Sequence, residues 1–240
     1  MVITVKILAI VPAFNEEKNI GGVVESINGA DANIDILVVS DGSTDGTVEK
    51  ARSSGLSRVV NLPCNLGIGG AVQTGFRFAR RGDYDIVFQF DGDGQHLASE
   101  IEKILAPVQD GRADVVIGSR FCGNDDGYRS TLSRRLGIKV FEVVNSFLIG
   151  QKITDNTSGF RAYNRRAIEF LAHYYPVDYP EPEAILILGK NGFRLREVPV
   201  RMQARGNGHS SISGIGSFYY MIKVLLALLV CCIRPREVKE

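Results

Sequence analysis

Two aspartates one residue apart, Asp91 and Asp93, follow a predicted strand at residues 86–90 that begins with the apolar run 86–88. A buried strand that ends in two acids places a compact negative site at the edge of a sheet. Such oxygen ligands suit Mg²⁺ or Mn²⁺, and these sites usually complete the metal shell with substrate phosphates and water. The stretch is therefore a candidate site for a divalent cation and a nucleotide. Because Asp and Gly are also ordinary turn residues, the stretch alone is equally consistent with a solvated turn.

Another polar group follows the apolar run at residues 5–11, in the sequence VPAFNEE. Pro12 fixes a turn, and the helix predicted after it supplies backbone N–H groups that a ligand could use. Glu16 and Glu17 fall in the first helical turn, where the helix dipole favours acids in any case. A binding role and a purely structural role are both open for these acids.

Two further motifs are SDGSTDGT at 40–47 and NLGIGGA at 65–71. Asp41 could accept hydrogen bonds from a nucleobase N–H or a ribose hydroxyl, although such a motif is more often a capped turn. Gly67 and Gly69 precede a predicted helix and would let a diphosphate approach the backbone there. Val72 stands where a dinucleotide fingerprint has its third glycine, so this signal is weak by itself.

Strand and helix patterns alternate over the first 120 residues. The predicted strands are 5–11, 34–39, 59–62, 86–90 and 115–118, and the predicted helices are 20–27, 44–53, 69–80 and 101–108, the last with Ser99 as N-cap. Strands that are apolar throughout indicate an α/β fold, with a mostly parallel sheet covered by helices on both faces. Ligands of such sheets bind at the carboxyl ends of the strands, where every motif above falls.

The pattern is less regular beyond residue 120. The elements expected there are a polar loop at 123–129, an amphipathic helix at 132–148, a helix from an Asn164 cap to residue 171, a helix with Pro182 in its first turn that ends near residue 192, and a strand at 193–202 interrupted by Pro199. We predict one domain over residues 1–212 and a C-terminal helical extension over 213–240.

Composition excludes several classes of protein. A chain of 240 residues that is 45% apolar can bury a substantial core and is not disordered. The cysteines, Cys64, Cys122, Cys231 and Cys232, lack metal-ligand spacing and are interpreted as reduced thiols of a cytoplasmic protein. No signal peptide is evident, and no basic stripe interleaved with aromatics suggests nucleic-acid binding. Residues 1–111 are net acidic and residues 112–240 net basic, which suits an enzyme that handles phosphates.

Taken together, the motifs resemble those of family 2 glycosyltransferases with the GT-A fold, a Rossmann-like fold. The similarity is greatest to the branch of dolichyl-phosphate mannose synthases and bacterial polyprenyl-phosphate sugar transferases. The matching segments are VPAFNEE at 11–17, SDGSTDGT at 40–47, NLGIGGA at 65–71, FDGDGQH at 90–96, VIGSRF at 116–121, TDNTSGFRAY at 154–163, EVPV at 197–200 and a segment from Arg205 to Ser210. They cover nearly the whole chain, and their joint specificity is high.

The resemblance implies a nucleotide-diphosphate sugar, linked to UDP or GDP, as donor. Pro12, Ala13 and Glu16 would line the nucleoside pocket, and Asp41 would bind the base. Asp91 would contact ribose or metal-bound phosphate and contribute to the metal site, and Asp93 and Gln95 would ligate Mg²⁺ or Mn²⁺. The residues that would contact the phosphates of donor and acceptor are Arg120, Arg134, Arg135 and Arg205.

For the acceptor, the resemblance implies a polyprenyl phosphate. Its phosphate, with a second pKa of roughly 6, is already ionised at neutral pH and needs no strong base. A hydroxyl of a glycan or glycolipid would need a carboxylate to take its proton, and Asp155 and Glu183 are the candidates. Many relatives that act on hydroxyls carry a Gln-x-x-Arg-Trp motif, which this chain, without Trp, lacks. The three histidines are interpreted as solvent or core residues.

The apolar segment at 217–233 is broken by Lys223 and is too short to span a bilayer. It is either a buried helix of the domain or a helix on the inner membrane face, docked on lipid, a membrane-protein partner or a second copy of the chain.

Two rival functions remain: a sugar-1-phosphate nucleotidyltransferase, disfavoured because the acidic loop after the first strand could not cradle a triphosphate, and a non-catalytic nucleotide-sugar sensor.

Overall fold

The computed structural model describes residues 5–122, 145–177 and 179–203, together with Lys223, Leu226 and Val230. Arg134, Arg135 and Arg205 lie outside the described residues. So do the predicted loop at 123–129, most of the helix predicted at 132–148, and Cys231 and Cys232. The predictions for these positions, and the predicted domain boundary at residue 212, stay predictions.

The described residues form one seven-stranded sheet in the spatial order β3-β2-β1-β4-β6-β5-β7. The strands are β1 (Ile7–Ala13), β2 (Asp35–Ser40), β3 (Arg58–Asn61), β4 (Ile86–Gln89), β5 (Val115–Ser119), β6 (Arg161–Asn164) and β7 (Leu195–Pro199). Neighbouring strands are parallel except at β6, which runs antiparallel to both β4 and β5. The prediction of a mostly parallel sheet is confirmed.

Helices cover both faces of this sheet. They are α1 (Ile20–Ala30), α2 (Thr47–Ser53), α3 (Gly67–Arg81), α4 (Ile101–Gln109), α5 (Arg165–Tyr174) and α6 (Pro180–Lys190), with a short 3₁₀ turn at Ala98–Glu100. One core cluster contains buried residues of α1, α2 and α4, and the other contains those of α3, α5 and α6. The predicted α/β architecture, with helices on both faces, is therefore confirmed.

The strand β1 shows why these residues form a central strand. All seven of its residues are buried. Ala9 and Val11 belong to one core cluster, whereas Leu8 and Ile10 belong to the other, as the alternation of side chains along a strand requires. Fully burying a side chain such as Leu or Ile stabilises the fold by roughly 1.5–3 kcal/mol, so both faces of β1 must be covered.

Three local predictions differ from the structure. No strand was predicted at residues 161–164, where the structure has β6. Ser99 was predicted as an N-cap, but it lies within the 3₁₀ turn, and α4 begins after Glu100 without a side-chain cap. The strand predicted at 193–202 is shorter and ends at Pro199. The predicted cap of α5 is confirmed, because the Asn164 side chain accepts a hydrogen bond from the Ala167 N–H at 3.0 Å.

The C-terminal extension is described only at Lys223, Leu226 and Val230, which are helical and exposed. Among the described residues, no helix is both long enough and apolar enough to cross a bilayer.

Candidate active site

A cleft of about 730 Å³ lies at the carboxyl ends of β1, β2 and β4. The candidate residues that line it are Pro12, Ala13, Glu16, Asp41, Gly67, Asp91 and Asp93, together with Phe14, Asn15, Glu17, Lys18, Asn19, Asp45, Asn65, Ile68, Ala71 and Gly92. The register of the strands explains this convergence, since Ala13 at the end of β1 pairs with Ser40 at the end of β2. Motifs that are far apart in the sequence therefore surround one space.

The loop after β1 is fastened to the loop after β2. The Glu16 N–H donates to the Thr47 hydroxyl at 2.8 Å, and the Thr44 N–H donates to the Asn15 side chain at 2.9 Å. Glu17 also serves this contact, because its carboxylate accepts a bond from the Gly46 N–H at 3.3 Å. Both acids line the cleft, and both carboxylates also have local partners, since that of Glu16 accepts a bond from Asn19 Nδ2 at 2.6 Å.

Asp41 is buried beside the cleft, where it joins three segments. Its backbone N–H donates to the Ala13 carbonyl at 2.9 Å, and its carboxylate accepts from the Leu66 N–H at 2.7 Å. The second contact fixes the turn that leads into α3. Asp41 therefore positions the start of α3 as well as facing the cleft, so the capped-turn interpretation and the binding interpretation both fit this residue.

The two glycines of NLGIGGA differ in their surroundings. Gly67 lines the cleft at the first residue of α3, with a φ of +81°. Gly69 packs instead against the segment before α6, where a Cβ atom would lie 2.6 Å from the carbonyl oxygens of Pro176 and Val177. The space that Gly69 provides is thus used by this backbone contact, whereas the predicted role of Gly69 was to admit a diphosphate.

Asp91 is held by two side chains. Gln89 Nε2 lies 2.9 Å from Asp91 Oδ1, and His96 Nε2 lies 3.2 Å from Asp91 Oδ2. Burial alone would raise the pKa of the Asp91 carboxyl, but His96, Gln89 and the nearby charge of Arg161 lower it below its usual value. Asp91 is therefore fixed in orientation as an anion.

His96 is a site residue that the sequence analysis missed. It is buried, and its ring stacks on Phe160 with centroids 4.9 Å apart while Phe90 approaches edge-on at 5.3 Å. This aromatic support aims Nε2 at Asp91. The only signal in the sequence was its place in FDGDGQH, because an isolated histidine is usually a core or surface residue.

Asp93 lies on the cleft wall with 9% of its surface exposed. One of its carboxylate oxygens accepts a hydrogen bond from the Gln95 N–H at 3.0 Å. The carboxylates of Asp91 and Asp93 line the cleft, and their oxygens suit a hard divalent cation, whereas Gln95, the third predicted ligand, is not among the residues that line it. The described residues contain no group of three His, Cys, Asp or Glu side chains that could hold a metal ion. The donor set fits a cation that arrives with a diphosphate, which would supply the missing oxygens.

Arg120, predicted to contact phosphates, and Asp155, predicted as a candidate base, pair with each other. Arg120 Nε and Nη2 each donate to a carboxylate oxygen of Asp155 at 2.8 Å, and the backbone N–H of Arg120 lies 3.1 Å from the same carboxylate. Burial would raise the pKa of fully buried Asp155, but Arg120 outweighs burial and lowers it. Asp155 is thus a poor proton acceptor, and the geometry favours an ion-pair role over the predicted role as a base.

The other candidate base, Glu183, stabilises the start of α6. Its carboxylate accepts a hydrogen bond from the Tyr179 N–H at 3.2 Å, and Tyr179 is the N-cap residue of that helix. Satisfying an N–H group at a helix start is a structural role.

Glu181, two residues before Glu183, is instead close enough to the site to be influenced by the charges of Asp91, Arg120 and Arg161. Burial raises the pKa of the Glu181 carboxyl, although Arg161 opposes that effect. Glu181 was not predicted as a site residue, because PEPE contains two acids. Their surroundings differ only through the position at which α6 begins, which the sequence does not show.

Arg161 of β6 is buried, with 1% of its surface exposed. Its guanidinium donates to the backbone carbonyls of Glu181 at 2.9 Å and Asn156 at 3.2 Å. It therefore supplies buried positive charge next to Asp91 and Glu181. No element was predicted for residues 161–164, so the sequence gave no indication of this placement.

Comparisons with known proteins agree with this architecture. Residues 8–171 match the family model described as glycosyl transferase family 2. The chain is 33% identical over 235 residues to a polyprenol monophosphomannose synthase of Mycolicibacterium smegmatis, with 92% of this chain and 86% of the relative covered. It is 30% identical over 221 residues to an undecaprenyl-phosphate mannosyltransferase of Micrococcus luteus, covering 87% and 88%.

Among solved structures, the glucosyl-3-phosphoglycerate synthase of Mycobacterium tuberculosis superposes with a TM-score of 0.73 at 22% identity, covering 97% of this chain and 81% of that chain. A complex of that enzyme with Mn²⁺, uridine diphosphate and glucosyl-3-phosphoglycerate superposes with a TM-score of 0.69 at 23% identity, with the same coverage. These similarities establish the GT-A fold. With the family match and the curated relatives, they show that the chain belongs to glycosyltransferase family 2.

Proposed function

We propose that the chain transfers a sugar from a nucleotide-diphosphate sugar to a polyprenyl phosphate, with inversion and with Mg²⁺ or Mn²⁺ as cofactor. The observation that carries the proposal is the convergence of Asp41, Asp91 and Asp93 on one cleft at the carboxyl edge of the sheet. The similarity to a polyprenol monophosphomannose synthase and an undecaprenyl-phosphate mannosyltransferase supports the acceptor class.

On the donor side, Pro12, Ala13 and Glu16 line the nucleoside pocket, and Asp41 binds the base. Asp91, fixed by Gln89 and His96, faces the ribose or the diphosphate, and Asp93 and Gln95 hold the cation. When bound, the cation neutralises negative charge on the departing nucleoside diphosphate.

On the acceptor side, the phosphate oxygen attacks the sugar carbon once, in line, and the bond from that carbon to the nucleoside diphosphate breaks. No base is required, since the phosphate is already ionised at neutral pH. This agrees with the geometry of Asp155 and Glu183, whose carboxylates are used in an ion pair and a helix start. Arg134, Arg135 and Arg205 supply positive charge for the phosphates in this proposal, whereas the Arg120 guanidinium is paired with Asp155 and supports this side of the site.

The acceptor is a membrane lipid, so we place the chain at the cytoplasmic face of the membrane. Large exposed apolar side chains support this placement: Phe147 is 85% exposed, Leu226 57% and Val230 51%. A separate membrane protein and a second copy of the chain are the other predicted partners.

The donor can be identified by a thermal-shift panel of UDP- and GDP-sugars with Mn²⁺. A ligand that binds only the folded state at about 100 times its Kd adds about 2.7 kcal/mol of stability. We expect one nucleotide to raise the melting temperature clearly more than the other. An unchanged melting temperature with every ligand of the panel would contradict the donor assignment.

The acceptor is tested with undecaprenyl phosphate and undecaprenol in detergent, using the radiolabelled form of the donor found in the panel. The two lipids differ only in the phosphate, which makes undecaprenol a matched control. We expect labelled lipid from the phosphate alone. Equal transfer to undecaprenol, or none to the phosphate, would refute the proposed acceptor.

A hydroxyl acceptor is the second candidate. It is favoured by Glu181 in the first turn of α6, whose backbone carbonyl accepts a bond from buried Arg161 at 2.9 Å and whose carboxyl pKa is raised by burial. Glu181→Gln removes a proton acceptor while keeping the shape of the side chain. If Glu181 is a general base, kcat falls about 10²- to 10⁴-fold. With a phosphate acceptor we expect a change of only a few-fold, measured at saturating donor.

A further inference from the structure

The loop that carries Asp93 and Gln95 is fastened to the segment after β7. The Gln203 backbone N–H donates to the Gln95 carbonyl at 2.9 Å, and Gln203 Nε2 donates to the Gly94 carbonyl at 2.6 Å. Next to these contacts, His96 and Met202 form an isolated antiparallel bridge. Gln203 therefore grips the peptide groups on both sides of Gln95.

One of these contacts continues to Asp93. The Gly94 carbonyl and the Gln95 N–H belong to the same planar peptide group, so fixing one end fixes the other. Gln203 holds the carbonyl end, and the N–H end donates to the Asp93 carboxylate at 3.0 Å. Hydrogen bonds linked through a peptide in this way polarise and strengthen one another.

This peptide needs an external restraint because Gly94 has a φ of +74°. Glycine adopts many backbone conformations with little penalty, so a loop through Gly94 does not fix its own peptide planes. The segment that holds it is itself anchored, since Met202 packs on a core cluster and the Val200 N–H donates to the Ser119 carbonyl at 3.1 Å.

We infer that Gln203 is a positioning residue that orients the Gly94–Gln95 peptide, and through it the Asp93 carboxylate, for the divalent cation. The inference rests on the proposed function, since the cation is part of that proposal. Gln203 is not a catalytic residue, because its contacts are to the loop backbone.

The test compares Gln203→Met with Gln73→Met. Methionine keeps the length of glutamine and removes the side-chain donor, and the backbone bond of residue 203 remains. Gln73 is a matched control, because it lies on α3 and its Nε2 also donates to a backbone carbonyl, that of His173, at 3.4 Å.

Two measurements are made on each full-length variant. The first is the affinity for Mn²⁺ with saturating nucleotide, from the electron paramagnetic resonance signal of free Mn²⁺ corrected for nucleotide without protein. The second is amide hydrogen exchange of the peptide spanning residues 92–97 without metal. Losing a residue that orients a metal ligand weakens metal binding about 10- to 100-fold. Because Gln203→Met removes one exposed hydrogen bond, we expect an effect at the low end of this range.

For Gln203→Met we therefore expect the Kd of Mn²⁺ to rise about tenfold, exchange at 92–97 to accelerate, and kcat at saturating Mn²⁺ to stay within about twofold of wild type. Gln73→Met should change none of these quantities. An unchanged Kd and unchanged exchange in Gln203→Met would overturn the inference, and so would a loss of kcat that excess Mn²⁺ does not restore. Those results leave the proposed function intact. Sugar transfer by the wild-type protein without any divalent cation would instead refute both the cofactor in the proposed function and the role of Gln203 in binding it.

Discussion

In the half of the sheet that contains β1 to β4, the acids at the strand ends are oriented by amides and a histidine, whereas in the half that contains β5 to β7 the buried acids are paired with arginines. Asp41 and Asp93 accept bonds from backbone N–H groups, and Asp91 from Gln89 and His96. In the other half, Asp155 is paired with Arg120, and Asp114 with Arg194 at 3.2 Å.

This difference has a physical consequence for ligand binding. An amide fixes the direction of a carboxylate without cancelling its charge, so the amide contacts of the cleft acids leave that charge to a cation, although buried Arg161 offsets part of it at Asp91. An arginine cancels the charge of its partner and ties two segments together. The first arrangement suits binding of a metal with its diphosphate, and the second suits a rigid support for the acceptor side.

The largest effect is expected from removing an acid of the cleft. Asp93→Asn keeps the shape of the side chain and removes its charge, so transfer should fall by about 10³-fold, the scale seen when a group that stabilises transition-state charge is lost. The melting temperature should change little. Asp110→Asn is the control, because Asp110 is exposed and paired with exposed Arg112. Wild-type turnover of Asp93→Asn with a radiolabelled donor would remove the metal-site claim.

Breaking the buried pair should instead cost stability. Arg120→Ala leaves the Asp155 carboxylate buried without its partner, which we expect to cost about 3–5 kcal/mol of unfolding free energy in urea. The pair of Arg112 and Asp110, about half exposed on each side, provides the comparison, and Arg112→Ala should cost at most about 1 kcal/mol. Equal losses in the two variants would show that burial of the Arg120 pair has no energetic importance.

The contact between α3 and the segment before α6 offers a test between the two halves. A Cβ atom on Gly69 would lie 2.6 Å from two backbone oxygens, so Gly69→Ala should destabilise the protein by about 1–3 kcal/mol. Gly29→Ala is the control, because nothing lies within 4 Å of a Cβ atom there and the substitution should be neutral or stabilising. If Gly69→Ala loses donor affinity without losing stability, the predicted diphosphate role is the better interpretation.

The smallest expected effect concerns pH. The folded-state pKa of Asp155 is lowered, so its contribution to stability is fully present above its unfolded pKa of about 3.9 and is lost as pH falls through the lower folded pKa. Wild-type protein should therefore lose more urea stability between about pH 4 and pH 2 than Asp155→Asn, whose side chain does not titrate. Parallel pH profiles for the two proteins would contradict the lowered pKa.

The sequence predicted the parts of the site whose position follows from one strand alone. Pro12, Asp41 and Asp91 each come directly after a buried apolar run, and the carboxyl ends of parallel strands meet at one edge, so their convergence was foreseeable. The cap at Asn164 was predictable for the same reason, since a capping bond depends only on residues three apart.

Positions that depend on contacts between distant segments were missed. Residues 161–164 form the strand β6 because β4 and β5 pair with them on both sides. This pairing outweighs the weak strand propensity of the short sequence RAYN. The contact of His96 with Asp91 depends on an aromatic support from Phe160, sixty-four residues later in the chain.

By itself, the sequence determined that this chain is an α/β protein with a carboxylate-lined edge, because hydrophobic periodicity and turn residues act over a few positions. Only the tertiary structure decided that Asp155 is neutralised by Arg120, that the Glu183 carboxylate binds the start of α6 while burial raises the pKa of Glu181, and that Gly69 meets a backbone instead of opening onto the cleft. Charge and packing act through space, and the partners that set them lie tens of residues apart along the chain.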